Sequence, residues 1–136
     1  MSKTREEFIE EFHKAFGVDV DKQPTVETLK LRKTLISEEM RELAEEFDMA
    51  IAFLEKGEEV PVERYENMLK ELTDLQVVLS GTSVSLTPLR RLEEAFIRVH
   101  ESNMSKLGED GKPIKREDGK VLKGPNYFEP DLSDLI

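Results

Sequence analysis

The chain of 136 residues contains no cysteine and no tryptophan, only two histidines, and no long uninterrupted apolar run. The missing thiols exclude disulfides, iron–sulfur clusters and thiolate zinc sites, and His13 and His100 are too few for a histidine-built metal centre. Any metal must therefore be held by oxygen. No window approaches the roughly eighteen apolar residues of a membrane-crossing helix, and the stretch from Met1 to Glu7 carries no apolar signal region. The expectation is a cytoplasmic protein with no membrane partner. Positive charge is also scarce. With 20 Lys and Arg against 30 Asp and Glu the net charge is −10, which argues against nucleic-acid polymers and anionic lipid surfaces, since both draw affinity from cationic surface. A single nucleotide is still compatible, because divalent ions can bridge carboxylates to phosphates.

What is present is helical periodicity. Thr4 with Glu7 reads as a capping box opening a helix to about Phe16, with Phe8, Ile9, Phe12 and Phe16 on its apolar side and Gly17 ending it. His13 lies beside that face, where a structural hydrogen bond is the expected role. After a loop from Val18 to Pro24, Val26, Leu29, Ile36, Met40, Leu43, Phe47, Ala50 and Leu54 recur at helical spacing, predicting a helix from about Thr25 to Lys56 that Gly57 caps. Its length leaves a break near Lys33 or Thr34 open. Leu31, Leu35 and Phe53 widen the apolar side to more than one face, so two neighbours are expected, one of them another subunit. The short link through Pro61 makes a helix over about Val62 to Val84 an antiparallel neighbour. Within it Gly81 predicts close packing of another backbone. Thr87 and Pro88 predict the start of a fourth helix to about Lys106, with Leu89, Leu92, Phe96, Val99 and Met104 inward. Beyond Leu107 the chain is irregular, with a small hairpin expected across Glu117-Asp118-Gly119. The fold expectation is one all-α domain, residues 1–136, made of four helices and a short irregular or hairpin C-terminal segment.

The chemistry lies in the acids. In Ser37-Glu38-Glu39-Met40-Arg41-Glu42-Leu43, Glu39 and Glu42 share a helix face and Glu38 pairs with Glu42 at a four-residue step; in Glu71-Leu72-Thr73-Asp74 the next helix carries a second pair. Antiparallel helices bring the two groups opposite each other. Such a cluster repels itself unless a cation sits in it, and hard divalent ions take all-oxygen coordination, so the reading is a Mg²⁺ or Mn²⁺ site. The alternative is a pair of solvated acidic faces, which a chain with 30 acids produces readily. Asn103 and Lys106 share a face of the fourth helix, and Lys112, Lys115, Arg116, Lys120 and Lys123 gather positive charge in the last third, as an anion-binding lid would.

Glu38-Glu39-x-x-Glu42 followed by Glu71-x-x-Asp74 resembles the signature of the all-α nucleoside triphosphate pyrophosphohydrolases, the superfamily of MazG, the dimeric dUTPases and phosphoribosyl-ATP pyrophosphohydrolase. The Asn103 and Lys106 pair and Lys123-Gly124-Pro125-Asn126-Tyr127 look like its MazG-like branch. The resemblance runs from about Phe8 to Leu132. It implies a MazG-like helical bundle that assembles as a homodimer or dimer of dimers, and cleavage of a nucleoside triphosphate between its α- and β-phosphates. It further implies that Glu39, Glu42, Glu71 and Asp74 bind Mg²⁺ and that Glu38 orients or deprotonates the attacking water. Asn103, Lys106, Lys123 and Tyr127 are the candidate phosphate contacts, and dUTP is the favoured substrate. A helical module that binds nucleotides or a protein partner without turnover is the competing reading.

Overall fold

The computed structural model describes residues 2–136. The fold is all-α: four helices, α1 (Arg5–Phe16), α2 (Val26–Glu55), α3 (Val62–Ser85) and α4 (Leu92–Met104), followed by a hairpin of two very short strands, β1 (Ile114–Lys115) and β2 (Val121–Leu122). The chain divides into two compact units, Met1–Arg90 and Arg91–Ile136.

In the first unit, local chemistry sets the helix ends. The Thr4 hydroxyl accepts from the Glu7 amide and the Glu7 carboxylate from the Thr4 amide, each at 3.1 Å, which closes the predicted capping box of α1. Thr25 and Thr28 make the equivalent reciprocal pair at the start of α2. α2 then runs unbroken through Lys33 and Thr34 to Glu55.

α2 and α3 make the most extensive pairing in the chain. Arg32 meets Val78, Glu39 meets Glu71 and Glu46 meets Arg64. Each seven-residue advance along α2 is matched by seven residues back along α3, as two full turns on antiparallel helices require.

The seam holds a polar notch at Gly81. What approaches there is not a backbone, as the sequence suggested, but two side chains: a Cβ on Gly81 would lie 2.6 Å from Arg32 Nη2 and 3.1 Å from His13 Nε2. Arg32 is buried, donating to Thr82 Oγ1 at 3.0 Å and to the Val78 carbonyl at 2.9 Å. His13 is buried as well, its Nδ1 3.0 Å from the Asp19 carbonyl, so its hydrogen bond is structural. Burial pushes its pKa below the usual imidazole value. Gly81→Ala is expected to destabilise the protein by about 1–3 kcal/mol through overpacking, although alanine is worth about 1 kcal/mol more than glycine in a helix. Urea unfolding measures this, and a stability gain would mean that Arg32 can leave the notch freely.

The fourth helix begins later than the sequence suggested. Thr87 makes no side-chain cap; Thr87–Leu89 instead forms a 3₁₀ turn, and α4 starts only at Leu92. The Thr87 amide is used elsewhere, donating to the Lys22 carbonyl at 3.0 Å in a bridge that ties the α1–α2 loop to the end of α3. Arg90 donates to the Val84 carbonyl and to Glu10, at 3.1 and 2.8 Å, and helps hold this turn.

The second unit is α4 with the chain that returns along it. Arg98 grips Asp134 through both guanidinium nitrogens and bonds the Asp131 carbonyl. Arg98 holds the Asp134 carboxyl down at about 2. Ser102 Oγ donates to the Phe128 carbonyl at 2.7 Å. Phe96, Val99 and Met104, expected to point inward, are exposed, since no segment of the described chain covers them.

Candidate metal centre

α2 presents Glu39 and Glu42 on one face, three residues apart, and α3 presents Glu71 opposite them. One carboxylate oxygen from each lies within 4.8 Å of the others, and all three residues are half-buried. Glu39 Oε2 and Glu71 Oε2 are shielded from solvent with no hydrogen-bond partner. Buried polar atoms are nearly always paired, so two orphaned anionic oxygens at one place call for a counter-charge. The pKa of Glu71 is raised, first by its burial and then by the Glu42 carboxyl beside it, while Lys70 at 3.7 Å works in the opposite direction.

The donor set fits a hard divalent cation: three carboxylates, no nitrogen and no sulfur. An ion held about 2.1 Å from two oxygens separates them by at most about 4.2 Å, so small side-chain rotations would close these three around it.

Asp74 lies one turn further along α3, outside the three-oxygen group, with its Oδ2 2.8 Å from Lys70 Nζ. Glu38 is exposed and lines a different surface of α2, together with Lys30, Lys33, Thr34, Ser37 and Arg41. The remaining candidates belong to the second unit, where backbone bonds draw them together. Lys106 N donates to the Asn103 carbonyl and Gly124 N to the Lys106 carbonyl, at 3.1 and 2.8 Å. Lys123 Nζ sits 4.7 Å from the centre of the Tyr127 ring, in cation–π contact. Gly124 is required there because the Leu107 carbonyl occupies the space of a Cβ.

The sequence reading missed Glu46, whose buried Oε2 also lacks a hydrogen bond and lies 3.7 Å from an Arg64 nitrogen. Its seven-residue spacing from Glu39 was the available signal. It missed the cations around Glu38 too, although Arg41 and Lys30 lie three and eight residues from it, at helical spacing. Compared with known proteins, the chain matches no family model and no curated sequence. Among the described residues no helix is long and apolar enough to cross a membrane.

Proposed function

We propose that the protein is a Mg²⁺-dependent nucleoside triphosphate pyrophosphohydrolase that releases pyrophosphate and a nucleoside monophosphate, in the manner of the MazG-like enzymes its acidic motif resembles. The observation that carries this reading is the convergence of Glu39, Glu42 and Glu71 from two helices with buried oxygens left unpartnered. A divalent ion bound there would neutralise phosphate charge and make a water easier to deprotonate.

The chain's own residues then divide the work. Glu39, Glu42 and Glu71 hold the cation, and Asp74, one turn along the same helix, is a fourth ligand once its carboxylate exchanges Lys70 for the ion. Glu38 lies outside the oxygen group. Its role as proton acceptor rests on the motif resemblance alone, since a general base acts within hydrogen-bond reach of its water and Glu38 lines a different surface of α2. Asn103, Lys106, Lys123 and Tyr127, by themselves in the second unit, carry amide, ammonium and phenol groups of the kind phosphate oxygens accept from.

Homodimeric or higher assembly belongs to the same reading. Leu29, Met40, Phe47, Ile51 and Leu54 along α2 are each about half exposed or more in the single chain, an apolar surface that a second copy would cover.

A screen of pyrophosphate release over canonical and modified triphosphates, with Mg²⁺ and with EDTA, tests the proposal. Release from dUTP is expected to exceed that from dCTP, dTTP and ATP by at least about tenfold in kcat/KM, roughly 1.4 kcal/mol of transition-state binding. Equal rates would leave a pyrophosphohydrolase without uracil preference. No release from any triphosphate, alongside stabilisation by Mg²⁺, would leave the non-catalytic binding module.

A further inference from the structure

Lys30, Lys33, Thr34, Ser37, Glu38 and Arg41 are linked by three- and four-residue steps, 30 to 33 and 34, these to 37 and 38, and these to 41, so they form one strip along α2. Together they line an open recess of about 480 Å³ on the surface of α2. Its charge runs against that of the molecule. In a chain of net charge −10 the recess gathers three cations, two hydroxyls and one acid. Arg41 is engaged by Glu45 at 2.8 Å, whereas Lys30 and Lys33 make no ion pair among the described residues.

We propose that this recess is an anion site for the phosphate chain of a nucleotide, with Lys30 and Lys33 as its charged contacts and Thr34 and Ser37 as hydroxyl donors. The proposal rests on the pyrophosphohydrolase reading for the identity of the anion. Phosphate oxygens accept several short charge-assisted hydrogen bonds at once, and a lysine ammonium offers three donors on a flexible stem that can follow them. A small oxyanion suits this place better than a nucleic-acid strand, because the strip is short and the chain as a whole carries a net charge of −10. Glu38, the one acid in the recess, opposes the ligand through like charge. The residue proposed to take the proton from water thus also limits how tightly the phosphate chain is held.

Calorimetric titration of the full chain with inorganic pyrophosphate, in EDTA and at low salt, isolates this site from any metal-dependent binding. The wild type is expected to bind, with affinity falling as sodium chloride is added, because exposed charges are screened. Lys30→Gln/Lys33→Gln is expected to bind at least about tenfold more weakly, Glu38→Gln about threefold more tightly, and Glu71→Gln as the wild type does. Both lysines are exposed, so their replacement leaves the seam untouched; should the double variant fail to fold, Lys33→Gln alone serves the comparison. Absence of pyrophosphate binding by the wild type, or binding by the lysine variants within twofold of it, would overturn the proposal. The activity reading fails differently. A protein that binds pyrophosphate through these lysines but turns over no triphosphate keeps the anion site and loses the enzyme.

Discussion

Glu71→Gln is expected to abolish Mg²⁺-dependent pyrophosphate release, by at least about a hundredfold, while raising the Tm of the metal-free protein. The first effect follows from position. Residues that merely orient metal ligands cost about 10–100-fold when replaced, so loss of a ligand, one of three carboxylates converging from two helices, costs no less. The second follows from charge. Without a cation, Glu71 is held next to Glu39 and Glu42, and its pKa lies above the ordinary 4.5. A carboxyl whose folded-state pKa is raised binds its proton more tightly when folded than unfolded. Its contribution to stability is therefore fully present below pH 4.5 and is lost as pH rises through the raised folded value. Glutamine keeps the shape and cannot ionise, so the variant escapes that loss. Melting curves in EDTA from pH 5 to pH 8 read it directly: wild type and variant should diverge as pH rises. Asp134, held at about 2, loses its contribution only in much stronger acid and does not intrude on this window. Saturating Mg²⁺ should reverse the order, since a ligand at a hundred times its Kd stabilises by about 2.7 kcal/mol. Parallel curves in EDTA, or wild-type turnover by the variant, would remove Glu71 from the metal site.

Glu38→Gln should separate chemistry from metal binding. Turnover is expected to fall by about 10²–10⁴, the usual contribution of a general base, while Mg²⁺ raises the Tm as much as in the wild type. The difference from Glu71 comes from placement: Glu38 is exposed on the recess side of α2 and is not part of the three-oxygen group. A variant that also lost its Mg²⁺-induced stabilisation would show that Glu38 is a ligand, and the assignment of the base would then have to move.

The neighbouring positions 38 and 39 illustrate how far the sequence can be read. Their spacing to Glu42 and the next acidic pair made a carboxylate cluster legible, because helical geometry is local and repeats every 3.6 residues. Adjacent residues differ by about 100° around a helix, yet both could be written into one motif. Only the packed pair of helices assigns Glu39 to the seam and Glu38 to the recess. In the same way Asp74 shares the face of Glu71 by spacing, but its carboxylate is drawn to Lys70, four residues back along its own helix.

By itself the sequence determined the four helices, the capping box that begins α1, the glycines that end α1 and α2, the hairpin, and the oxygen-only character of any metal site. Each of these depends on residues within a few positions of one another or on residue types that are missing. Tertiary structure alone decided the register of α2 on α3, the occupation of the Gly81 notch by Arg32 and His13, the late start of α4, and which acids meet. Those outcomes turn on contacts between residues about twenty to seventy positions apart, or, for α4, on a backbone amide claimed by a distant loop, and no local propensity encodes them.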